Sequence, residues 1–309
     1  MRTYFLLLCG VVAILNSSLA FGYSTAKFTL RIIDEDRNPI SGATVYVSFM
    51  QANNSGIGLK TIRRDDVTNE DGVVTFQGDG LESVGATIDK EGYYQSGSGY
   101  KFTSKSLLNR WEPWNPTVEV VLKKKRNPVP VYDNYRTSYQ IPKFDTPIGF
   151  DLERRDWVAP FGHGLVSDFV ILYKSEIRAY TDYDCGFTLT FSNPHDGIQE
   201  YFFDKEDQSY FKWPFEAPVE GYLPEISKEK TMLLPGTGYN SDEKKTINYM
   251  FRVRSKVDNE GNIVEAQYGK LIGEFGFVPK GEITFRYMFN PDGTRNLEED
   301  PEKNLFQQK

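Results

Sequence analysis

From Tyr23 onward no stretch sustains an apolar period of 3.6 residues, while period-two runs recur along the chain. Strict alternation is the pattern of a strand with one face buried. In the first third, "KFTLRIID" places Phe28, Leu30 and Ile32 on one side, and "ATVYVSFM" does the same with Ala43, Val45, Val47 and Phe49. "GVVTF" and "VGATIDKEGYY" follow, and "TVEVVLKKK" aligns Val118, Val120 and Leu122. Between these runs stand "DEDRN" and "TNEDG", where Asp and Asn accept local backbone bonds in turns. Gly42 and Gly72 allow a positive φ where a strand begins. With 22 Phe and 19 Tyr the chain is also rich in residues that suit a pleated, half-buried surface. These features predict an all-β fold of two antiparallel β-sandwich domains.

The spacing predicts a first sandwich over residues 23–123 and a Pro-rich linker over 124–147. A second, jelly-roll-like sandwich with a polar tail is expected over 148–309. Pro128, Pro130, Pro142 and Pro147 favour extended, irregular backbone in the linker. In the second sandwich "DFVILYKSEI", "GFTLTFS" and "EITFRYMF" read as strands. The longest element runs from Ile247, with Tyr249, Phe251, Val253 and Val257 on one face and Arg252, Arg254 and Lys256 on the other. "DNEGN" then turns the chain into a hairpin. Gly269 and Gly273 in the return strand point to a bulge or a close backbone approach. The acidic tail is expected to be pinned loosely, by Leu297 or by Leu305 and Phe306.

Residues 1–22 read as a cleaved secretory signal. Arg2 supplies the positive start, Tyr4–Leu15 the apolar run, and Ser18-Leu19-Ala20 or Ala20-Phe21-Gly22 the small residues of a cleavage site. Cys9 does not make a lipoprotein site, because Leu8 is too large and the apolar run continues past it. The net charge is −7, and loss of a leader bearing one basic residue makes it more negative. This balance disfavours both nucleic acid and an anionic membrane surface as partners. After cleavage, stable membrane insertion is not expected. Only Cys185 would then remain, so no internal disulfide can form. It shares a strand face with Phe187, Leu189 and Phe191 and reads as a buried small hydrophobe.

The order of elements in the first third resembles the carboxypeptidase regulatory-like, or transthyretin-like, module. Asp34, Asp36, Pro39, Ile40, Gly42, Ala43, Val45, Thr68, Asp71, Gly72, Phe76, Lys90, Gly92 and Tyr93 carry the likeness. The resemblance implies a non-catalytic sandwich attached to something else. A Lys–Asn isopeptide crosslink, as in collagen-binding B-type repeats, is not expected, since Ile32 and Ile33 occupy the relevant positions. The remainder, through "RRDWVAPFGHGLVSDF", "SNPHDGIQ", "YMFRVRSKVDNEGNI" and "NLEEDPEKNLF", resembles the second half of uncharacterised secreted bacterial proteins that carry the same module. That likeness implies architecture and no mechanism.

A catalytic zinc site needs about three protein ligands, yet the chain has two histidines, His163 and His195, and no H-E-x-x-H. A site built from both with Asp156, Asp168 or Asp196 stays open as an alternative. G-x-S-x-G, G-x-G-x-x-G and the P-loop pattern are absent. "DEDRN", "TNEDG", "DNEGN" and "YTDYDCG" collect oxygen ligands without calcium-loop spacing and read as turns. No catalytic residue, metal or cofactor is therefore assigned. The aromatic loops are the most suggestive feature: Trp111, Trp114, Trp157 and Trp213 each stand beside prolines or glycines. Indole faces stack on sugars or fill partner pockets, although capping a sandwich end would use them as well. Three functions stay open: a non-catalytic structural or adhesive protein exported to the cell envelope, in periplasm or outside; a carbohydrate- or protein-binding module using these Trp loops; and a hydrolase in the second domain. The partner would be an envelope protein or polysaccharide.

Overall fold

The computed structural model describes residues 23–53, 58–135, 138–233, 239–241 and 246–307. The expected leader and Cys9 lie outside them. The described residues contain strands and turns and no helix. The chain divides into two compact units. Unit 1 takes the described residues through Asp89 together with Gly97–Val120, and unit 2 takes Lys90–Ser96 and everything from Val121 on.

The strands reaching through unit 1 are β1 (Ser24–Asp34), β2 (Thr44–Ala52), β3 (Leu59–Val67), β4 (Val73–Gly80), β5 (Ser83–Asp89), β6 (Ser96–Lys101), β7 (Ser104–Lys105), β8 (Trp111–Glu112) and β9 (Thr117–Leu122). One sheet has the order β4-β1-β9 and the other β3-β2-β5-β6. Phe28 on β1 stands opposite Phe76 on β4 and meets Phe49 of the other sheet edge-on, with ring centroids 6.5 Å apart. This is a sandwich closed by the alternating residues of "KFTLRIID" and "ATVYVSFM". The turns use their polar residues as local acceptors. Asp34 accepts the backbone N–H of Asp36 and Asn38 at 2.9 and 2.8 Å. Asn69 accepts those of Asp71 and Val73 at 3.1 and 2.8 Å. Gly72, at φ 71, has no room for a side chain, because a Cβ would sit 2.4 Å from the carbonyl oxygen of Ile32.

Strand β3, "LKTIRRDDV", shows no alternation because all its residues but Ile62 are exposed. It lies at the sheet edge, where neither face is buried and charge is tolerated.

Unit 2 contains β10 (Tyr132–Asp133), β11 (Ser138–Gln140), β12 (Pro147–Asp151), β13 (Asp156–Trp157), β14 (Phe169–Ala179), β15 (Asp182–Thr190), β16 (Gly197–Phe202), β17 (Glu225–Met232), β18 (Tyr239–Ser241), β19 (Ile247–Val257), β20 (Ile263–Leu271), β21 (Gly276–Val278), β22 (Glu282–Thr284) and β23 (Tyr287–Asn290). They form sheets in the orders β10-β23-β20-β19-β16, β13-β12-β14-β15-β17-β18 and β11-β22-β21. Phe169 and Phe251, one from each large sheet, meet edge-on at 5.2 Å. Cys185 is buried with Phe187 and Leu189 in this core.

Three expectations need correction. The segment 124–147 is not a linker: it contributes β10, β11 and the first residue of β12, and buries Val131, Tyr139 and Ile141. Proline demands extended backbone, which a short strand satisfies as well as a linker does. "EITFRYMF" is not one strand, because the chain changes sheets between β22 and β23. The tail is not loosely pinned. Glu298 is 1% exposed and accepts the N–H of Arg126 and Asn127 at 2.9 and 2.8 Å and the hydroxyl of Tyr94 at 2.9 Å. Lys270, buried under it, donates to the Leu297 carbonyl at 2.7 Å and to Glu299. Burial pushes the Lys270 ammonium down, against the pull of Glu299.

Candidate functional site

The distinctive stretches of the second half meet around one arginine. On β19 the pairing with β20 slips between Val253 and Lys256, and Arg254 takes φ 57. A non-glycine residue there costs on the order of 1 kcal/mol. Asp196, on the loop before β16, offsets that cost by accepting the N–H of Arg254 and of Ser255, both at 2.9 Å. A bulge re-aims a side chain. Here it directs the guanidinium onto the fully buried carboxylate of Asp168, at 2.8 and 3.0 Å in a bidentate pair, and onto Glu153. Burial raises the Asp168 carboxyl, opposed by Arg254. Burial lowers the guanidinium, but Asp168 and Glu153 outweigh it and hold it protonated.

The neighbouring acids are spent on backbone. Asp151, 2% exposed, accepts the N–H of Glu153 and Arg154 at 2.9 and 3.1 Å and of Leu165 and Val166 at 2.8 and 3.0 Å. Asp168 also accepts from Leu152 N at 3.0 Å. "FRVRSKV" is thus fastened to "RRDWVAPFGHGLVSDF" by the buried Arg254–Asp168 ion pair and to "SNPHDG" by the bonds of Asp196 to backbone N–H groups. The tail joins them through Phe306, over which the Arg155 guanidinium lies at 4.0 Å.

The histidines take no comparable place. His163 has a side chain 96% exposed, with Nδ1 3.2 Å from Asp156. His195 serves through its carbonyl, which accepts Arg252 Nε and Nη2 at 3.1 and 2.7 Å. Among the described residues no group of three or more His, Cys, Asp or Glu could hold a metal ion.

The four tryptophans do not form one platform. Trp157 and Trp213 are each 6% exposed, so they fill cores. Trp157 packs edge-on against Phe150 at 5.3 Å and donates Nε1 to the Gln140 carbonyl at 3.0 Å. Trp213 stacks on Tyr201 at 5.4 Å, in a separate cluster. Trp111 and Trp114 belong to unit 1 and are half-buried. Trp111 donates to the Gly80 carbonyl at 2.9 Å, and Trp114 lies under the Arg110 guanidinium at 5.1 Å.

A roomy concavity among the described residues is one that sequence reasoning missed. Across β14, β15 and β17 the pairing sets Lys174 opposite Gly186 and Gly186 opposite Glu229. The same register lines up Leu172, Thr188 and Ser227 on one side and Glu176, Asp184 and Thr231 on the other. Gly186 has no side chain to fill the middle, and a Cβ there would meet the Lys228 carbonyl at 2.6 Å. The result is a polar trough of about 510 Å³ on the outer face of the sheet. Its rows are held by Thr188 and Ser227, 2.9 Å apart, and by Thr231 donating to Asp184 at 2.7 Å. The bond from Thr231 and the pair with Arg178 hold the Asp184 carboxyl low. The sequence signal was the small residue interrupting "DCGFTLTF", which acquires meaning only with its cross-strand partners.

No protein-family model matches the chain, and no curated protein matches it. Among solved structures it is similar to 3-chlorocatechol 1,2-dioxygenase from Rhodococcus opacus 1CP at TM-score 0.27 and 13% identity, over 33% of this chain and 61% of that one. It is similar to the shaft pilin SpaA from Lactobacillus rhamnosus GG at TM-score 0.24 and 10% identity, over 79% and 93%. The full-length major pilin SpaD from Corynebacterium diphtheriae gives TM-score 0.26 and 9% identity, over 90% and 84%. The chain spans about three fifths of the dioxygenase. At scores this low none of the three carries a function across.

Proposed function

We propose that the chain is a non-catalytic protein exported to the cell envelope, with a structural or adhesive role, in which unit 1 is a carboxypeptidase regulatory-like module. The observation that carries the reading is how unit 2 uses its acids. Asp151, Asp168 and Asp196, in the stretches where chemistry would be sought, are occupied by backbone N–H groups and by Arg254. A general acid or base needs a free edge toward a substrate; these carboxylates hold loops instead. Among the described residues no helix is long and apolar enough to cross a membrane. The test is a purified sample assayed for bound metal and for turnover of ester, peptide and glycoside substrates, alongside its retention on isolated envelope. Retention without turnover is expected. Stoichiometric zinc or any turnover abolished by Asp168→Asn at unchanged folding would sink the reading.

A second reading, binding of a hydroxyl-rich polysaccharide, is favoured by the trough and not by the tryptophans. Lys174 beside the Gly186 floor is a donor, and the hydroxyls of Thr188 and Ser227 one register step along can donate or accept, the kind of groups that sugar hydroxyls satisfy. A Lys174→Ala variant is expected to lose polysaccharide retention at unchanged melting temperature. Retention equal to the parent would remove the trough from the account.

A further inference from the structure

At one end of unit 1 stands a short spur with an apolar tip. Strands β7 and β8 pair Ser104 with Glu112 and Lys105 with Trp111. The turn between them is closed by Ser106 N–H to the Arg110 carbonyl at 2.9 Å and by Asn109 N–H to the Ser106 carbonyl at 3.1 Å. Its outermost residues are Leu107, fully exposed, and Leu108, 74% exposed. Single exposed leucines are ordinary, but two adjacent ones projecting from a tight turn put their whole side chains in water.

The tip is held in place. Trp111 is anchored to the Gly80 carbonyl. Asn109 accepts Thr25 N–H at 3.0 Å through its carbonyl and donates Nδ2 to the Tyr23 carbonyl at 3.2 Å. Its φ of 56 is the left-handed turn conformation that Asn tolerates. Exposure of the leucines is therefore built into the turn.

The spur itself carries the opposite charge from the chain as a whole. From Tyr100 through Trp111 there are three basic residues, Lys101, Lys105 and Arg110, and no acid, in a chain of net charge −7. Lys101 and Lys105 are exposed. The acids of this end stand at the base of the spur: Glu112 pairs with Arg110 at 3.0 Å, Asp79 accepts the Thr25 hydroxyl at 2.7 Å, and the Glu82 carbonyl accepts Phe102 N–H. The start of β3 lies at the same end, since Ala52 pairs with Leu59 and Leu81 N–H reaches the Met50 carbonyl. Leu59 there is 59% exposed, with Lys60 exposed beside it.

We propose that this end of unit 1 docks on an anionic lipid surface, with Leu107 and Leu108 entering the headgroup boundary and Lys101, Lys105 and Lys60 meeting lipid phosphates. Apolar side chains at the interface together with local basic charge are the two signals that reversible membrane binding needs. Net charge averages over the whole chain, whereas attraction to a bilayer is set within roughly 8 to 10 Å of it. The inference stands apart from the trough and from the question of catalysis.

The test is flotation of the exported protein, as recovered, with vesicles of phosphatidylcholine alone or with one third phosphatidylglycerol. Binding is expected on the anionic vesicles, weakened by salt. Leu107→Ser/Leu108→Ser should reduce it about tenfold or more, and Lys105→Glu several-fold, with melting unchanged because both sites are exposed. Equal binding by the leucine variant, or no preference for phosphatidylglycerol, overturns the proposal. So does a leucine variant that turns a dimer into a monomer while vesicle binding stays the same, which would assign the tip to a second copy of the chain.

Discussion

The two units put their charged residues to opposite uses. In unit 1 ion pairs lie at the surface: Glu119 meets Arg37 at 2.9 Å, with the arginine side chain 70% exposed. Acids such as Asp34 close turns, and the interior is left to Phe28, Phe49, Val45 and their like. In unit 2 the charges go inside. Lys228, Lys230, Lys270, Asp151, Asp168, Asp196 and Glu298 are all buried, and most of them fasten a loop or the tail to a sheet. Periodic strands find their own partners through apolar faces, whereas long irregular segments have buried backbone N–H groups that must be satisfied. Buried carboxylates supply acceptors for several of these at once, and a cation must then accompany them.

The sharpest way to break this contrast is Arg254→Met. It leaves Asp168 charged in a dry site, so unit 2 should lose about 3 to 5 kcal/mol, read from denaturant unfolding followed by hydrogen exchange of unit 2 amides. Adding Asp168→Asn should recover part of the loss. A cost no greater than that of a surface pair would erase the distinction.

Gly72→Ala tests unit 1 at its turn. The strained φ and the 2.4 Å approach to the Ile32 carbonyl predict a loss of about 1 to 3 kcal/mol, confined to unit 1 amides.

The pH dependence contributed by Asp34 in unit 1 and by Asp168 in unit 2 should have opposite signs. At Asp34 burial pushes the carboxyl up, but bonds from Asn38 and Asp36 outweigh it and hold it low. Its contribution is complete above the ordinary value of about 3.9 and is lost as pH falls through the lowered one. Asp168 is raised by burial, so the folded unit takes up its proton first, and stability from this group rises as pH falls through the raised value toward the ordinary one. Carboxyl NMR titration should place the Asp34 midpoint below and the Asp168 midpoint above that of a model peptide; the reverse order would refute the assignment. The smallest effect belongs to Arg37→Ala, expected to change unit 1 by about 0.5 kcal/mol or less in the same unfolding measurement.

The legible part of the fold coincides with one-sided burial. β1, β2, β4, β5, β14, β15 and β19 all appear as alternation. β3 does not, having no buried face, and β10 and β11 are too short for a period to register. At the site, Asp168 and Asp196 were visible only as acids near histidines in sequence. That they serve Arg254 depends on the bulge in β19, and Val257, read as a core-face residue, stands at the strand end 37% exposed. Of the two glycines, Gly269 is a close approach, where a Cβ would lie 2.2 Å from the Phe251 ring, whereas Gly273 lies past the end of β20 at φ 79 with open space around it.

From the order of residues alone followed the all-β class, the antiparallel sandwich of unit 1, its turns and the position of its core, because these depend on neighbours two to five residues apart. Tertiary structure alone decided that 124–147 and the tail belong to unit 2, that Arg254 gathers three distant stretches, that Trp157 and Trp213 are interior, and that Gly186 floors a trough. Each of those rests on partners brought together by the fold and not by a local repeat, and such pairing leaves no periodic trace in a single chain.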